Sequence, residues 1–354
     1  MSRLTIFPIT VAALFFWALF VPPASAACAN SPRLEGKLHF LSNRPGGKRD
    51  GNWDVYRANL DGSGVQRVTD FPKHSIRWFD YHKPSRTLVV AGSSRGRLSV
   101  GPSGNDGGPA VAEEIIAAIS RNGSTRVLIN VLDKSKNPRG FNSVWHPTMS
   151  PNGKRIVFAA SRKGESNNIW SMRRDGTDLR AIDPDPQRTQ NDPRYGANGK
   201  VVYVRHDSKG IGQVTNLSGL DVWMIDPARP GDNVRLSSEK AIPGPPRIET
   251  DPALSPNCRL VAVNRVTSLS KNANIVMRAD GRSTGYVEIV NSRQAGGFVG
   301  VPTWIDNRRL LSYRWNSSAK GWRIIKLDIS HPGKFEELSL GASKGYRDVM
   351  PVAY

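Results

Sequence analysis

The stretch SPNGKRIVFAASRKGESNNIWSMRRDGTDLRAI, from Ser150 to Ile182, holds two turn signals, Pro151-Asn152-Gly153 and Asp175-Gly176, and between them two apolar runs of strand character. Asn-Gly and Asp-Gly between β-rich runs are the strongest short hairpin signals in a sequence. The second half of the stretch recurs. NIWSMRRDGTDLRAI (168–182) is matched by DVYRANLDGSGVQRV (54–68), IIAAISRNGSTRVLI (115–129) and IVMRADGRSTGYVEI (275–289). DVWMIDPARPGDNVRL (221–236) and WRIIKLDISHPGKFEEL (322–338) are copies with looser turns. The turn-leading residues Asp61, Asn122, Asp175, Asp226, Asp280 and Asp328 follow one another at intervals of 48 to 61 residues.

The first half recurs as well. HPTMSPNGKRIVFAAS (146–161) is matched by DPRYGANGKVVYVRH (192–206), DPALSPNCRLVAVNR (251–265) and VPTWIDNRRLLSYRW (301–315), with a degenerate copy at 75–93. Each repeat of about 50 residues therefore offers four short strands, the pattern of a β-propeller blade. One four-stranded sheet cannot bury both faces; sheets stacked in a ring can. The reading is an all-β, six-bladed β-propeller of four-stranded antiparallel blades over 34–354. The blades fall near 34–70 with 346–354, 74–130, 143–183, 190–237, 249–291 and 299–340. The first repeat begins at its second strand. Met350-Pro351-Val352-Ala353 aligns with His146-Pro147-Thr148-Met149, so the C-terminal strand is expected to complete blade one and remove two open sheet edges. VAEEIIAAI (111–119) is the one place where a helix competes, and its repeat position makes it a strand.

Residues 1–26 read as a secretory signal peptide: Arg3, an apolar stretch from Leu4 to Val21, then Ala24-Ser25-Ala26. Residues 27–33 form a short tail. The expected location is exported, periplasmic or secreted. Lipid anchoring at Cys28 is disfavoured, because Ser25 stands where a lipoprotein signal wants an aliphatic residue. Cys258 is the only other cysteine, and an oxidising compartment allows a Cys28–Cys258 disulfide. The net charge of +20 is spread through every segment. No basic helix or RNA-binding aromatic signature accompanies it, which argues against nucleic acid. Anionic polysaccharide or membrane headgroups suit the compartment better.

The repeat in SPNGKRIVFAASRKGESNNIWSMRRDGTDL resembles that of the TolB-like propellers: strand, Ser-Pro-Asp-Gly turn, strand, Ser-x-Arg, aromatic strand, Asp-Gly turn. Ser42-Asn43-Arg44 and Ser161-Arg162 fit the basic element. The resemblance covers essentially the whole chain after residue 26. It implies an exported propeller that binds a partner at one mouth of its ring; the TolB propeller's partner is the peptidoglycan-associated lipoprotein. TolB carries an α/β domain before its propeller, and about seven residues between the expected cleavage site and blade one leave no place for it here. Related propellers also include gates of prolyl oligopeptidases and pectate-fragment lyases.

Catalytic motifs are missing from the sequence. Gly-x-Ser-x-Gly occurs at 92–96, 281–285 and 341–345, but no copy stands at a strand-to-helix turn as a nucleophile elbow does, and GSSRGRLSVGPSGNDGG (92–108) lacks the Gly-Lys-Ser/Thr ending of a phosphate loop. It reads as a long mobile loop that carries Arg95 and Arg97. The innermost strands of a propeller line its channel, and the residue before each recurrent Pro falls at one height: His146, Asp192, Asp251, Val301 and Met350, with Ser75 or His74 in blade two. Asp348 and Glu249 lie two residues further out. His74, His146, Asp192, Asp251 and Asp348 are thus the candidate channel-mouth ligand site. Imidazole and carboxylates converging there suit a divalent cation or acid–base work; otherwise they cap strands and solvate the channel. Only His74 and His146 of the six histidines lie near the axis, where the lyases want three. The balance of the sequence favours a monomeric, non-catalytic scaffold without a cofactor, binding an envelope protein. The rival is an enzyme or binder for an anionic oligosaccharide at the channel mouth. Trp53, Trp170, Trp223 and Trp322 are expected as fillers between blades.

Overall fold

A computed structural model describes Cys28 and residues 36–44, 52–71, 73–94, 113–185, 188–206, 219–237, 247–268, 270–282, 285–341 and 347–354. The expected signal peptide, the tail apart from Cys28, and most of the 92–108 loop, including Arg95 and Arg97, lie outside the described residues. The named elements are twenty-four strands and one 3-10 turn, Lys134–Lys136.

The chain lays down strands in groups. The first is β1 (Lys37–Ser42), β2 (Asp54–Asn59) and β3 (Gln66–Arg67). Then come β4 (Ser75–His82), β5 (Thr87–Ser93), β6 (Glu114–Ile119) and β7 (Thr125–Asn130). The third group is β8 (Phe141–Met149), β9 (Arg155–Arg162), β10 (Asn168–Arg173) and β11 (Arg180–Ala181). The fourth is β12 (Gln190–Tyr195), β13 (Val201–His206), β14 (Leu220–Ile225) and β15 (Asn233–Arg235). The fifth is β16 (Ile248–Leu254), β17 (Leu260–Ser268), β18 (Lys271–Arg278) and β19 (Val287–Asn291). The last is β20 (Thr303–Trp304), β21 (Arg309–Asn316), β22 (Gly321–Asp328) and β23 (Phe335–Glu337), followed by β24 (Asp348–Ala353).

These strands make a β-propeller arrangement of antiparallel meanders. Four separate four-stranded sheets are present: β24-β1-β2-β3, β4 to β7, β8 to β11 and β20 to β23. The repeat predicted six separate sheets; the fourth and fifth groups instead share one eight-stranded sheet. The reason is local. Leu220 of β14 and Ile248 of β16 approach as a single parallel pair, and that contact bridges two meanders that otherwise keep their own order. The segment 111–119 is a strand where described, as its repeat position requires. The C-terminal strand pairs with β1, Leu38 opposite Ala353 and Ser42 opposite Asp348.

The turns show why the repeat folds as it does. In all six copies the side-chain oxygen of the turn-leading residue accepts the N–H two residues on. The pairs are Asp61–Ser63, Asn122–Ser124, Asp175–Thr177, Asp226–Ala228, Asp280–Arg282 and Asp328–Ser330, at 2.8 to 3.1 Å. Asp and Asn are chosen there because their short side chains mimic a backbone turn. β3 and β15 are only 2 and 3 residues long, so the third strands beside them need other support. In the first sheet Asp54 holds Arg67, and Thr69 Oγ1 accepts the Val55 N–H. In the fourth group Asp221 holds Arg235, and Ser237 Oγ accepts the Val222 N–H.

The core lies between neighbouring sheets. Leu41, Val55, Ile76 and Val90 join the first to the second; Ile116, Ile129, Phe141 and Phe158 join the second to the third. Val157, Ile169, Val201 and Tyr203 join the third to the fourth group, and Val222, Leu236, Val261 and Ile275 the fourth to the fifth. Ala262, Ile289, Leu310 and Ile325 join the fifth to the last, and Leu38, Phe40, Leu311 and Ile324 the last to the first. Trp170 and Trp322 are buried within third strands, while Trp53 is buried just before β2 and Trp223 only half-buried. Cys28 and Cys258 form a disulfide with Cα atoms 5.7 Å apart, which ties Cys28 to the turn between β16 and β17.

Candidate functional site

The recurrent X-Pro step does more than mark a strand. A residue before proline is normally extended. His146, Asp192, Asp251 and Met350 instead have φ of 49°, 52°, 53° and 52°, the left-handed region. The ladder slips at each: between Trp145 and Thr148, between Asn191 and Arg194, between Thr250 and Ala253, and opposite His39 and Leu41 for Met350. Each first strand therefore carries a β-bulge, which re-aims one side chain out of the alternating pattern. Left-handed backbone at a non-glycine residue costs on the order of 1–2 kcal/mol. Three of the four strained residues end as polar groups at one spot.

His146, Asp192 and Asp251 offer donor atoms that all lie within 4.8 Å of one another. They come from β8, β12 and β16, the first strands of three consecutive groups. His146 Nδ1 is 2.6 Å from Asp192 Oδ1, and the Asp251 N–H donates to Asp192 Oδ2 at 3.1 Å. The imidazole packs on Trp78, ring centroids 4.2 Å apart. The Arg194 guanidinium stands 5.5 Å from the centre of the same indole and donates to Pro302 O and Thr303 Oγ1. Asp80 lies nearby and accepts from Thr148 Oγ1 and the Met149 N–H.

The two central carboxylates are pushed apart in acidity. Burial and the negative charge of Asp192 raise Asp251 to about 7, against the smaller opposing pull of His146 and Arg194. Burial works on Asp192 in the same direction but loses there. The charge and hydrogen bond of His146, the Asp251 N–H and Arg194 together hold it below the usual carboxylate value. Burial lowers Arg194 against the charges of Asp251, Asp80 and Asp192, and burial raises Tyr313, with Asp251 adding to the rise. One carboxyl held ionised and one whose pKa is raised to about 7, beside an imidazole, form an acid–base set. One nitrogen and two oxygen donors also fit a divalent cation that accepts mixed ligands, such as zinc or manganese.

The other candidates are placed differently. His74 Nε2 lies 3.3 Å from Glu113 Oε2, and burial lowers its pKa. Asp348 is fully buried and receives Nε and Nη2 of Arg44. Glu249 is fully buried against Arg265 and Arg247. The structure thus brings together His146, Asp192 and Asp251 and holds His74 and Asp348 on partners of their own. The physical reason is the bulge: it turns Met350 and Asp251 out of the alternating pattern, while Asp348 and Glu249, two residues before, keep their ladder places opposite Ser42 and Arg265. Val301 is buried in an apolar cluster with Tyr313. Arg194 and Asp80 were not singled out by the repeat. Arg194 does follow Asp192-Pro193 directly, at a place where Ala253, Thr303 and Thr148 stand in other copies.

These features define a class, a β-propeller with a polar cluster on its inner strands. More narrowly, the chain has the TolB-like propeller fold. TolB from Acinetobacter baumannii matches with a TM-score of 0.59 and 13% identity over 90% of this chain and 67% of that one. A putative TolB from Agrobacterium tumefaciens matches at 0.55 and 11%, over 90% of this chain and 98% of that one. A chain of a nidogen/laminin complex matches at 0.60 and 10%, again over 90% and 98%. At such identities the likeness is one of fold alone. No protein-family model and no curated protein matches the sequence.

Proposed function

We propose that the protein is an exported, six-bladed propeller that binds rather than transforms its target, a protein of the cell envelope, and that His146, Asp192 and Asp251 anchor the contact. In this reading the eight-stranded sheet counts as two blades, and the β1–β24 pairing closes the ring. Apolar clusters at each successive contact from the first sheet round to the last, and from the last back to the first, support that count. The observation that carries the function is the convergence of three strained, bulge-borne side chains within 4.8 Å. Strain at a bulge is kept where the re-aimed side chain is used. Arg194 beside the carboxylates offsets part of their charge, so the centre presents both acceptors and a cation, as a polar protein contact requires.

A second reading rests on the split acidity of Asp192 and Asp251, which suits a general acid and base acting on an anionic oligosaccharide. One experiment separates the two. Wild type and the triple variant His146→Ala, Asp192→Asn, Asp251→Asn are used as bait in an envelope extract, and retained proteins are quantified and confirmed by reciprocal capture. The same proteins are assayed for metal content and for cleavage of acidic oligosaccharides. A partner retained by wild type and lost by the variant is the expected result. Cleavage by wild type that the variant lacks, or one equivalent of divalent metal lost in the variant, would replace the scaffold reading with the channel-site one.

A further inference from the structure

A second polar concavity lies away from the His146 cluster, at the end of the fifth group of strands. It encloses about 400 Å³ and is lined by Arg247, Arg265, Lys271, Tyr286, Glu288 and Arg293, with polar residues between them. Its volume is in the range of small-ligand sites. Behind the lining arginines stands Glu249. This residue stands opposite Arg265 in the β16–β17 ladder, is fully buried, and holds both Arg265 and Arg247. Their side chains are only 6% and 3% exposed, so these are interior charges, not surface arginines.

The fold supplies its own control. Asp348 occupies the equivalent place two residues before a bulge, and among the described residues one guanidinium, Arg44, meets it. Glu249 meets two. Arg265 Nε is buried without a hydrogen-bond partner among the described residues, as is Glu249 Oε2. The Arg265 guanidinium lies 4.0 Å from the centre of the Tyr286 ring, and Tyr286 is 41% exposed, an aromatic wall beside a buried cation. On the rim, Lys271 and Arg293 are exposed, and neither is ion-paired among the described residues. Glu288 is the rim's acid and accepts from Asn291 Nδ2 at 2.7 Å. Four cations and one carboxylate thus line the cleft, and Glu249 behind them is the second acid.

We infer that this cleft binds a small organic monoanion: a carboxylate on a polar, ring-sized scaffold. The carboxylate meets the Arg265 side of the cleft and the ring lies along Tyr286. A planar guanidinium matches a carboxylate fork, and the tyrosine gives a ring an apolar surface. Glu288 on the rim disfavours a dianion. The cleft is separate from the proposed protein-binding centre, and either can fail alone.

The test is isothermal titration of the full chain with glucuronate, glucose and inorganic phosphate, at low and at high salt. Glucuronate is expected to bind, more weakly at high salt, with glucose and phosphate weaker by on the order of tenfold or more. Arg265→Gln and Tyr286→Ala should each weaken glucuronate by a similar factor. Arg265→Gln disturbs a buried pair, so Lys271→Gln with Arg293→Gln, both on exposed rim positions, serves as the variant that keeps the fold; it should weaken binding and flatten the salt dependence. Absence of glucuronate binding, equal binding of glucose, preference for phosphate, or indifference to both Tyr286→Ala and the rim variant would each overturn the inference.

Discussion

Asp251→Asn is expected to make the protein more stable, and only above acidic pH. The wild-type carboxyl is raised to about 7 in the fold, first by burial and then by the charge of Asp192. In the unfolded chain it ionises near its ordinary value of 3.8. The folded state therefore holds a proton that the unfolded state has lost. Below the unfolded value both states are protonated and the residue exerts no pH-dependent penalty. As pH rises toward 7 the unfolded state is increasingly favoured, and above 7 the penalty is constant. Each pKa unit corresponds to about 1.4 kcal/mol, so a difference of about three gives about 4 kcal/mol. Part of Asp251 remains exposed and its titration is tied to Asp192, so solvent screening reduces this to about 2 kcal/mol.

Asparagine keeps the shape and cannot ionise. Thermal melts of wild type and Asp251→Asn at pH 4, 6 and 8 should coincide at pH 4. At pH 8 the variant should melt higher by about 4–8 °C, at ~2–4 °C per kcal/mol for a domain of this size. Asp192→Asn provides the cross-check. It removes the second cause of the rise in Asp251, so the pH dependence should shrink, while the loss of the His146 contact lowers stability at neutral pH. An Asp251→Asn variant no more stable than wild type at pH 8, or equally stabilised at pH 4, would refute the electrostatic account of the cluster.

His39 should dominate acid sensitivity from the other direction. Burial, with Arg57 adding, lowers it to about 3 from 6.5, so its stabilising neutrality is complete above 6.5 and is lost as pH falls toward 3. His39→Phe keeps a ring to stack between Tyr81 and Tyr354, and should retain about 2–3 kcal/mol that wild type loses between pH 7 and 4; urea titrations at both pH values check it. Deleting residues 347–354 removes β24, the Asp348–Arg44 pair and the Tyr354 stack. Calorimetry should then show loss of a single cooperative transition, whereas unchanged melting would refute closure through the C-terminal strand.

Much of this architecture was legible because its signals are local. Asp or Asn at a turn accepts the N–H two residues on, and six such residues at near-regular intervals mark six meanders whatever surrounds them. Met350-Pro351 aligned with His146-Pro147 because both encode the same bulge, and the pairing of β24 with β1 follows from that. The merger of the fourth and fifth groups was not legible. It depends on one backbone approach, Leu220 to Ile248, and no residue type specifies it.

The site divides along the same line. The X-Pro bulge is a local device, so the sequence placed His146, Asp192 and Asp251 at one height, and one height on neighbouring strands is enough for three side chains to meet. His74 has no such bulge proline, and Asp348 lies two residues before a bulge, in the regular ladder opposite Ser42, where it meets Arg44. Arg194 and the two arginines on Glu249 were hidden for a different reason. Arginine is common throughout this basic chain, and which of its copies lies inside is decided by packing from other strands, not by the residues beside it in sequence. A repeat fixes where the backbone bends. Which charge is trapped behind the bend depends on the differences between copies, as Arg194 after Asp192-Pro193 and the two arginines on Glu249 show.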